Sequence, residues 1–312
     1  GAAALGSDDW LAQPTGGVRK GRGRAKRPPP QSAQLRDDLG VAQHGAVDYS
    51  FYADPAYWNA RYAAVGGGQG AGAYEWFSAG AEELLPFLGR FIRRGDTVLE
   101  VGCGTSGLLR ALLEGGHEGE LVGVDCSPAA IAWARQHLAG SRTAAELAAA
   151  SYLEEGSSIA RRRSSSPEVG VRYEAADARD LRALFEDGTV DVVIEKGTLA
   201  GLFSEEGGEK GSGVLSEVSR LLRSDGGILV SISPHDPADD NEARNGLNVL
   251  QELVFPPLAA ASGNGAAWSC EVHTAGARTS VHVYALRRRL RPLTRAVCQE
   301  CSLQLDVTLH CH

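Results

Sequence analysis

The sequence predicts an α/β fold, a seven-stranded, mostly parallel sheet with helices on both faces and a C-terminal antiparallel hairpin. Three observations predict it. Short apolar runs alternate with helix-period segments from about residue 97 onward, the pattern of a parallel sheet with crossover helices. A glycine-rich turn, Gly102-Cys103-Gly104-Thr105-Ser106-Gly107, separates the first apolar run from a helical segment. Two apolar runs near the end lie close together around a turn containing Gly276, so they read as a hairpin.

Residues 1–45 are rich in Gly, Pro, Ala and Gln and lack apolar periodicity, so they cannot offset the entropy of ordering and are expected to be disordered. Arg19, Lys20, Arg22, Arg24, Lys26, Arg27 and Arg36 give this segment a basic stretch without an acid. It suits a nuclear signal, a nucleic-acid contact, an organelle transit segment or a solvated linker. The folded unit is expected over 46–289. It opens on an aromatic stretch, 49–77, interrupted by a glycine run at 66–72. A helix follows, with Leu84, Leu88, Phe91 and Ile92 on one face, offset by Pro86 and ending at Arg93-Arg94-Gly95.

Parallel strands are expected at 97–101, 121–124, 171–174, 190–194 and 227–233. Ser127-Pro128 caps and starts a helix over 129–138, with Ile131, Ala134 and Leu138 inward. Leu215, Val218 and Leu222 mark another by their spacing. Residues 140–170, rich in Ala, Ser, Glu and Arg, read as a flexible insertion before the third strand. The hairpin strands are expected at 268–273 and 280–286, and 290–312 as a C-terminal tail.

At 312 residues and 43% hydrophobic content the chain can build a sizeable core. Its net charge of -8 disfavours a nucleic-acid substrate, because blanketing phosphates needs clustered Lys and Arg. No window approaches the roughly 18 apolar residues of a membrane span, so no membrane partner is expected. The six cysteines lie at 103, 126, 270, 298, 301 and 311, and a reducing compartment, the cytoplasm, fits them best. Cys298, Cys301, His310, Cys311 and His312 offer ligand types without the spacing of a zinc finger, so no metal is expected.

The glycines of the 102–107 turn let the backbone approach a ligand lying over the strand end, a Rossmann-like arrangement. Asp125, ending the second strand, is placed to bond ribose hydroxyls. Both features serve a nicotinamide dinucleotide and S-adenosylmethionine equally well. The remaining positions discriminate. Glu100 stands at the carboxyl edge of the first strand, where a dehydrogenase usually has a small or apolar residue. Asp177 follows the third strand, within reach of an adenine amine, and Val192-Val193-Ile194-Glu195-Lys196-Gly197-Thr198 runs out of the fourth towards the reacting centre.

Several separate blocks carry a resemblance: Tyr57-Trp58-Asn59-Ala60-Arg61-Tyr62, Tyr74-Glu75-Trp76-Phe77, Leu99 to Gly104, Val122 to Ser127, Asp191 to Leu199, and Leu215 to Leu222. In them the sequence resembles the class I S-adenosylmethionine-dependent methyltransferases, within these the elongation factor 1-alpha lysine methyltransferase and citrate synthase lysine methyltransferase group. The resemblance implies S-adenosyl-L-methionine as cofactor. It places Trp58, Tyr62, Tyr74, Gly102, Asp125, Cys126, Asp177, Ala178 and Lys196 around it, with Glu100, Cys103 and Gly104 completing the loop. Ring faces suit the positive sulfonium. The same resemblance implies a protein substrate methylated on a lysine amine. Glu195, just past the fourth strand, is expected as the catalytic residue that orients this amine or assists its deprotonation.

One departure concerns the acceptor. The group usually reads Glu-Lys-Gly-Thr-Leu-Asp after the fourth strand, whereas here Leu199 is followed by Ala200-Gly201. No Asn/Asp-Pro-Pro-aromatic tetrapeptide follows that strand, which argues against base methylation. The competing readings are a small-molecule N- or O-methyltransferase, an NAD-dependent dehydrogenase and a non-catalytic scaffold of the same fold.

Overall fold

The computed structural model describes residues 50–66, 75–143, 168–204, 207–239, 246–262, 266–275, 281–290 and 305–310. The expectations for 1–45, Tyr74, most of the 140–170 insertion, Cys298 and Cys301 lie outside these residues.

The strands are β1 Val98–Val101, β2 Leu121–Asp125, β3 Ser141–Thr143, β4 Glu168–Ala175, β5 Val192–Lys196, β6 Ile228–Ser233, β7 Ala266–Ala275, β8 Val281–Leu290 and β9 Leu305–His310. They form one sheet in the order β3-β4-β2-β1-β5-β6-β8-β7-β9. The five strands from β4 to β6 run parallel, and β8 and β7 close the sheet as an antiparallel pair. These are the seven strands that the sequence predicts. Two short edge strands join them. β3 pairs antiparallel with β4, so the insertion leaves and returns side by side, and β9 pairs parallel with β7. Part of the segment expected as a tail thus covers an edge of β7 that would otherwise leave ladder groups unpaired.

The helices are α1 Pro55–Gly66, α2 Ala81–Leu88, α3 Leu108–Glu114, α4 Pro128–His137, α5 Thr198–Leu202, α6 Glu209–Leu221, α7 Gly246–Val249 and α8 Phe255–Ala261. One π-helical turn, Leu250–Val254, joins the last two. The helix expected to run to Ile92 stops at Leu88. Beyond it the amides of Phe91 and Ile92 both bond the Leu88 carbonyl, and both side chains are buried from this tight turn. α4 starts as expected, with the Ser127 side chain accepting from the Ala130 amide at 3.1 Å.

Because strand side chains alternate between faces, the sheet divides its core in two. Val98, Ile194 and Val230 pack with Leu84, Leu88, Leu109, Leu112 and Ile131 on one face. Leu99, Val193 and Leu229 pack with Leu215, Val218, Leu258 and Trp268 on the other. β1, β2 and β5 are buried along their whole length, which is why they read as continuous apolar runs. The chain winds outward from β1 in one direction through β2 and β4, and in the other through β5 and β6. The carboxyl ends at this reversal form the crevice where open α/β sheets bind ligands. Among the described residues no helix is long and apolar enough to cross a membrane.

Candidate active site

The glycine loop leaves β1 in a conformation that other residues resist. Gly102 has φ +65°, and a Cβ there would lie 2.1 Å from the Thr198 hydroxyl oxygen. That hydroxyl donates to the Val101 carbonyl at 3.1 Å, so it cannot readily retreat. Gly104 has φ +50°, and its Cβ would lie 2.4 Å from the Tyr62 hydroxyl. The Asp125 carboxylate then fixes the loop to the end of β2, accepting from the Gly104 amide at 2.9 Å and from the Ser127 amide at 2.8 Å.

Over these strand ends lies a cavity of about 440 Å³, within the usual range for small-ligand sites. Trp58, Tyr62, Gly102, Asp125, Cys126, Asp177, Ala178 and Lys196, all expected at a cofactor, line it. Glu100, Cys103 and Gly104 are not among its lining residues. Cys103 is buried beneath the loop beside Gly123, and Gly104 acts through its amide. Glu100 is buried, with one oxygen lacking a hydrogen-bond partner among the described residues. Burial pushes its carboxyl up to about 8, Glu75 adding to the rise while Lys196 and a hydrogen bond from Ser106 oppose it.

Glu195 lies apart from the residues that line the cavity. Strand alternation sends it to the α6 face of β5 with Val193, whereas Lys196 faces the opposite side with Ile194. Its carboxylate accepts from the Ser231 hydroxyl and, at 3.1 Å, from the Leu199 amide in the first turn of α5. Burial raises it to about 6 against these bonds. It does not line the cavity, and its bonds tie β5 to β6 and to the start of α5.

The electrostatics of the rim and floor differ. Asp177 sits half-exposed in a close ion pair with Arg179 at 2.5 Å, which lowers its carboxyl. Burial raises Asp125, against the two amides that it accepts, and pushes the Cys126 thiol up to about 12. The Tyr62 hydroxyl is raised by burial and by Asp125. On the floor, the Lys196 ammonium pairs with Glu75 and donates to the Ala79 carbonyl at 3.3 Å.

The structure adds residues that the sequence did not single out. Tyr52 and Trp76 complete the aromatic wall, with the Trp58 ring stacked on Tyr52 at 5.5 Å and edge-on to Trp76 at 5.6 Å. Asn59 clips this roof to α4, its side-chain oxygen accepting from the Ser127 hydroxyl and the Ala129 amide. Thr198 and Lys210 also line the cavity. Asn59 and Trp76 stand inside the blocks quoted for the resemblance, where their neighbours Trp58 and Tyr74 drew the attention.

A left-handed glycine turn, a carboxylate ending β2 and an aromatic wall suit an adenosine that carries a cation. A family model described as a methyltransferase domain matches residues 92–255, more than half of the chain. Citrate synthase-lysine N-methyltransferase, mitochondrial, of Pongo abelii is 29% identical over 199 residues, covering 62% of this chain and 75% of that protein. EEF1A lysine methyltransferase 4 of Bos taurus is 31% identical over 198 residues, covering 59% of this chain and 63% of that enzyme, less than two thirds of its length. A TehB-like SAM-dependent methyltransferase from Corynebacterium glutamicum is 15% identical with a TM-score of 0.40, covering 76% of this chain and 100% of that one. The chain belongs to the methyltransferase-domain family, and its cofactor is S-adenosylmethionine.

Proposed function

We propose that this methyltransferase modifies the side-chain amine of lysine in a protein substrate. The observation that carries the reading is the cavity's aromatic wall, Tyr52, Trp58, Tyr62 and Trp76, set directly over the Gly102 turn and Asp125. The relatives named above, which carry lysine methyltransferase in their names, support the acceptor class. Residue roles follow from placement. Asp125 meets ribose hydroxyls, Asp177 and Ala178 the adenine edge, and Trp58, Tyr62 and Trp76 the positive end of the cofactor. When bound, S-adenosylmethionine supplies a methyl carbon activated by its positive sulfur.

The chain's own work is alignment and exclusion of water. A lysine amine, with an ordinary pKa of about 10.4, must be neutral to accept a methyl group, and burial of the amine beside a positive sulfonium disfavours its charged form. No carboxylate from Glu195 is needed for that step. Ala200, where the resembled group usually carries an acid, is exposed on α5. We place the reaction in the cytoplasm.

Calorimetry with S-adenosylhomocysteine and with NAD tests the cofactor site. Saturable binding of the first and none of the second is expected, and the reverse would point to hydride chemistry. Incubation of the chain with a cell extract and labelled S-adenosylmethionine then tests the acceptor. Label in protein supports the proposal, and label confined to small molecules contradicts it.

A further inference from the structure

We infer that Glu75 is a positioning residue of the methyl-transfer site, a single carboxylate that joins the glycine loop, the β5 exit and the aromatic roof. The inference rests on the cavity being the S-adenosylmethionine site. One Glu75 oxygen accepts from the Gly107 amide at 3.1 Å, and the other pairs with the Lys196 ammonium. Gly107 is the residue before α3, where the glycine loop ends. Three segments distant in sequence thus meet at one side chain.

Glu75 also sets the place of its neighbours. Trp76 follows it and lines the cavity, edge-on to Trp58. Phe77 then adopts φ +62° and ψ +13°, a left-handed conformation that a bulky residue resists and that persists only where its surroundings hold it. Its ring lies against Gly197, where a Cβ would come within 2.9 Å of the ring. The Trp76–Phe77 turn is therefore held from two sides, by the Glu75 carboxylate and by the β5 exit.

Lys196 gives the contact its energetic weight. Its side chain is only 4% exposed, so an ammonium left there without Glu75 would be a buried charge facing Glu100, whose burial favours the neutral form. Losing Glu75 would release Lys196, free the loop at Gly107 and loosen Trp76 together. A residue that merely packed the roof would not couple these three.

Hydrogen exchange of the full-length chain without ligand, compared with Glu75→Ala and Glu75→Gln, tests this. The expected result is exchange about fivefold faster or more in peptides covering 103–110 and 196–202, with β6 and β8 unchanged, as for local opening. Glu75→Gln, which keeps an acceptor for Gly107 but no charge for Lys196, should weaken S-adenosylhomocysteine binding about tenfold, as for loss of a charge-assisted bond, and Glu75→Asp should recover part of it. Wild-type exchange in both peptides, or equal acceleration of β6 and β8, overturns the proposal. Should Glu75→Ala not fold, the Gln variant carries the exchange measurement at 196–202, where wild-type exchange overturns the proposal. Failure of the wild-type chain to bind S-adenosylhomocysteine would defeat the reading of the cavity itself, while the exchange data would still decide the role of Glu75.

Discussion

Gly102 and Glu195 show what one residue's geometry decides. At Gly102 the left-handed backbone and the Thr198 hydroxyl both exclude a side chain. Gly102→Ala should therefore weaken S-adenosylhomocysteine binding by roughly tenfold or more, in line with the ~1–2 kcal/mol cost of that conformation for an L-residue. Calorimetry on the folded variant measures it. For Glu195 the expectation is the opposite split. Glu195→Gln should lower the melting temperature, through weakened bonds to Ser231 and α5 worth about 1.5–3 kcal/mol each at most, while leaving cofactor affinity near wild type. The lining positions Gly102, Asp125, Asp177 and Lys196 were legible because strand ends at the sheet reversal can be located from apolar runs. The orientation of Glu195 was legible too, since Val193 and Glu195 must share a face, but its place after the strand drew attention away from the period of two. Glu75 was not legible, because its partners Gly107 and Lys196 meet it only through tertiary structure.

Elements show a similar division between local and non-local signals. The seven central strands could be read since buried parallel strands are near-continuous apolar runs, and α4 because Ser127-Pro128 is a local start signal. Helical structure over 246–261 was missed. Leu250, Val254 and Leu258 are buried at a regular spacing, but Pro256-Pro257 and the π turn obscure the pattern. The edges β3 and β9 are short, and pairing with β4 and β7 defines them. The α1–α4 clip makes a prediction at this scale. Ser127→Ala removes both the helix cap and the bond to Asn59, and should cost about 1–2 kcal/mol in denaturant unfolding. Asn59→Ala keeps the cap, so its effect should fall mainly on cofactor affinity, through the loosened roof.

Across the whole molecule, buried titratable groups make stability depend on pH. Asp96 and Glu195 are raised to about 6 and Glu100 to about 8, each chiefly by burial, while burial lowers His117 to about 4. A raised acid contributes stability that is full below its unfolded value, near 4, and is lost as pH rises through the folded value. A lowered histidine contributes above about 6.5 and loses its contribution as pH falls. The two trends oppose each other from about pH 4 to 6.5, and above that Glu100 remains. The melting temperature should decline between pH 6.5 and 8.5, and Glu100→Gln should flatten the slope. A flat profile in the wild type would place Glu100 differently.

The arrangement of sheet reversal, glycine loop and aromatic roof is that of a methyltransferase, and protein lysine is the acceptor proposed for it. The most direct test is tandem mass spectrometry of proteins from a cell extract after incubation with the chain and isotopically labelled S-adenosylmethionine. Labelled methyl groups are expected on lysine side chains, and Gly102→Ala should reduce them at sub-saturating S-adenosylmethionine. Labelled methyl groups on another residue type, or none in any protein while the chain binds the cofactor, would contradict the proposal.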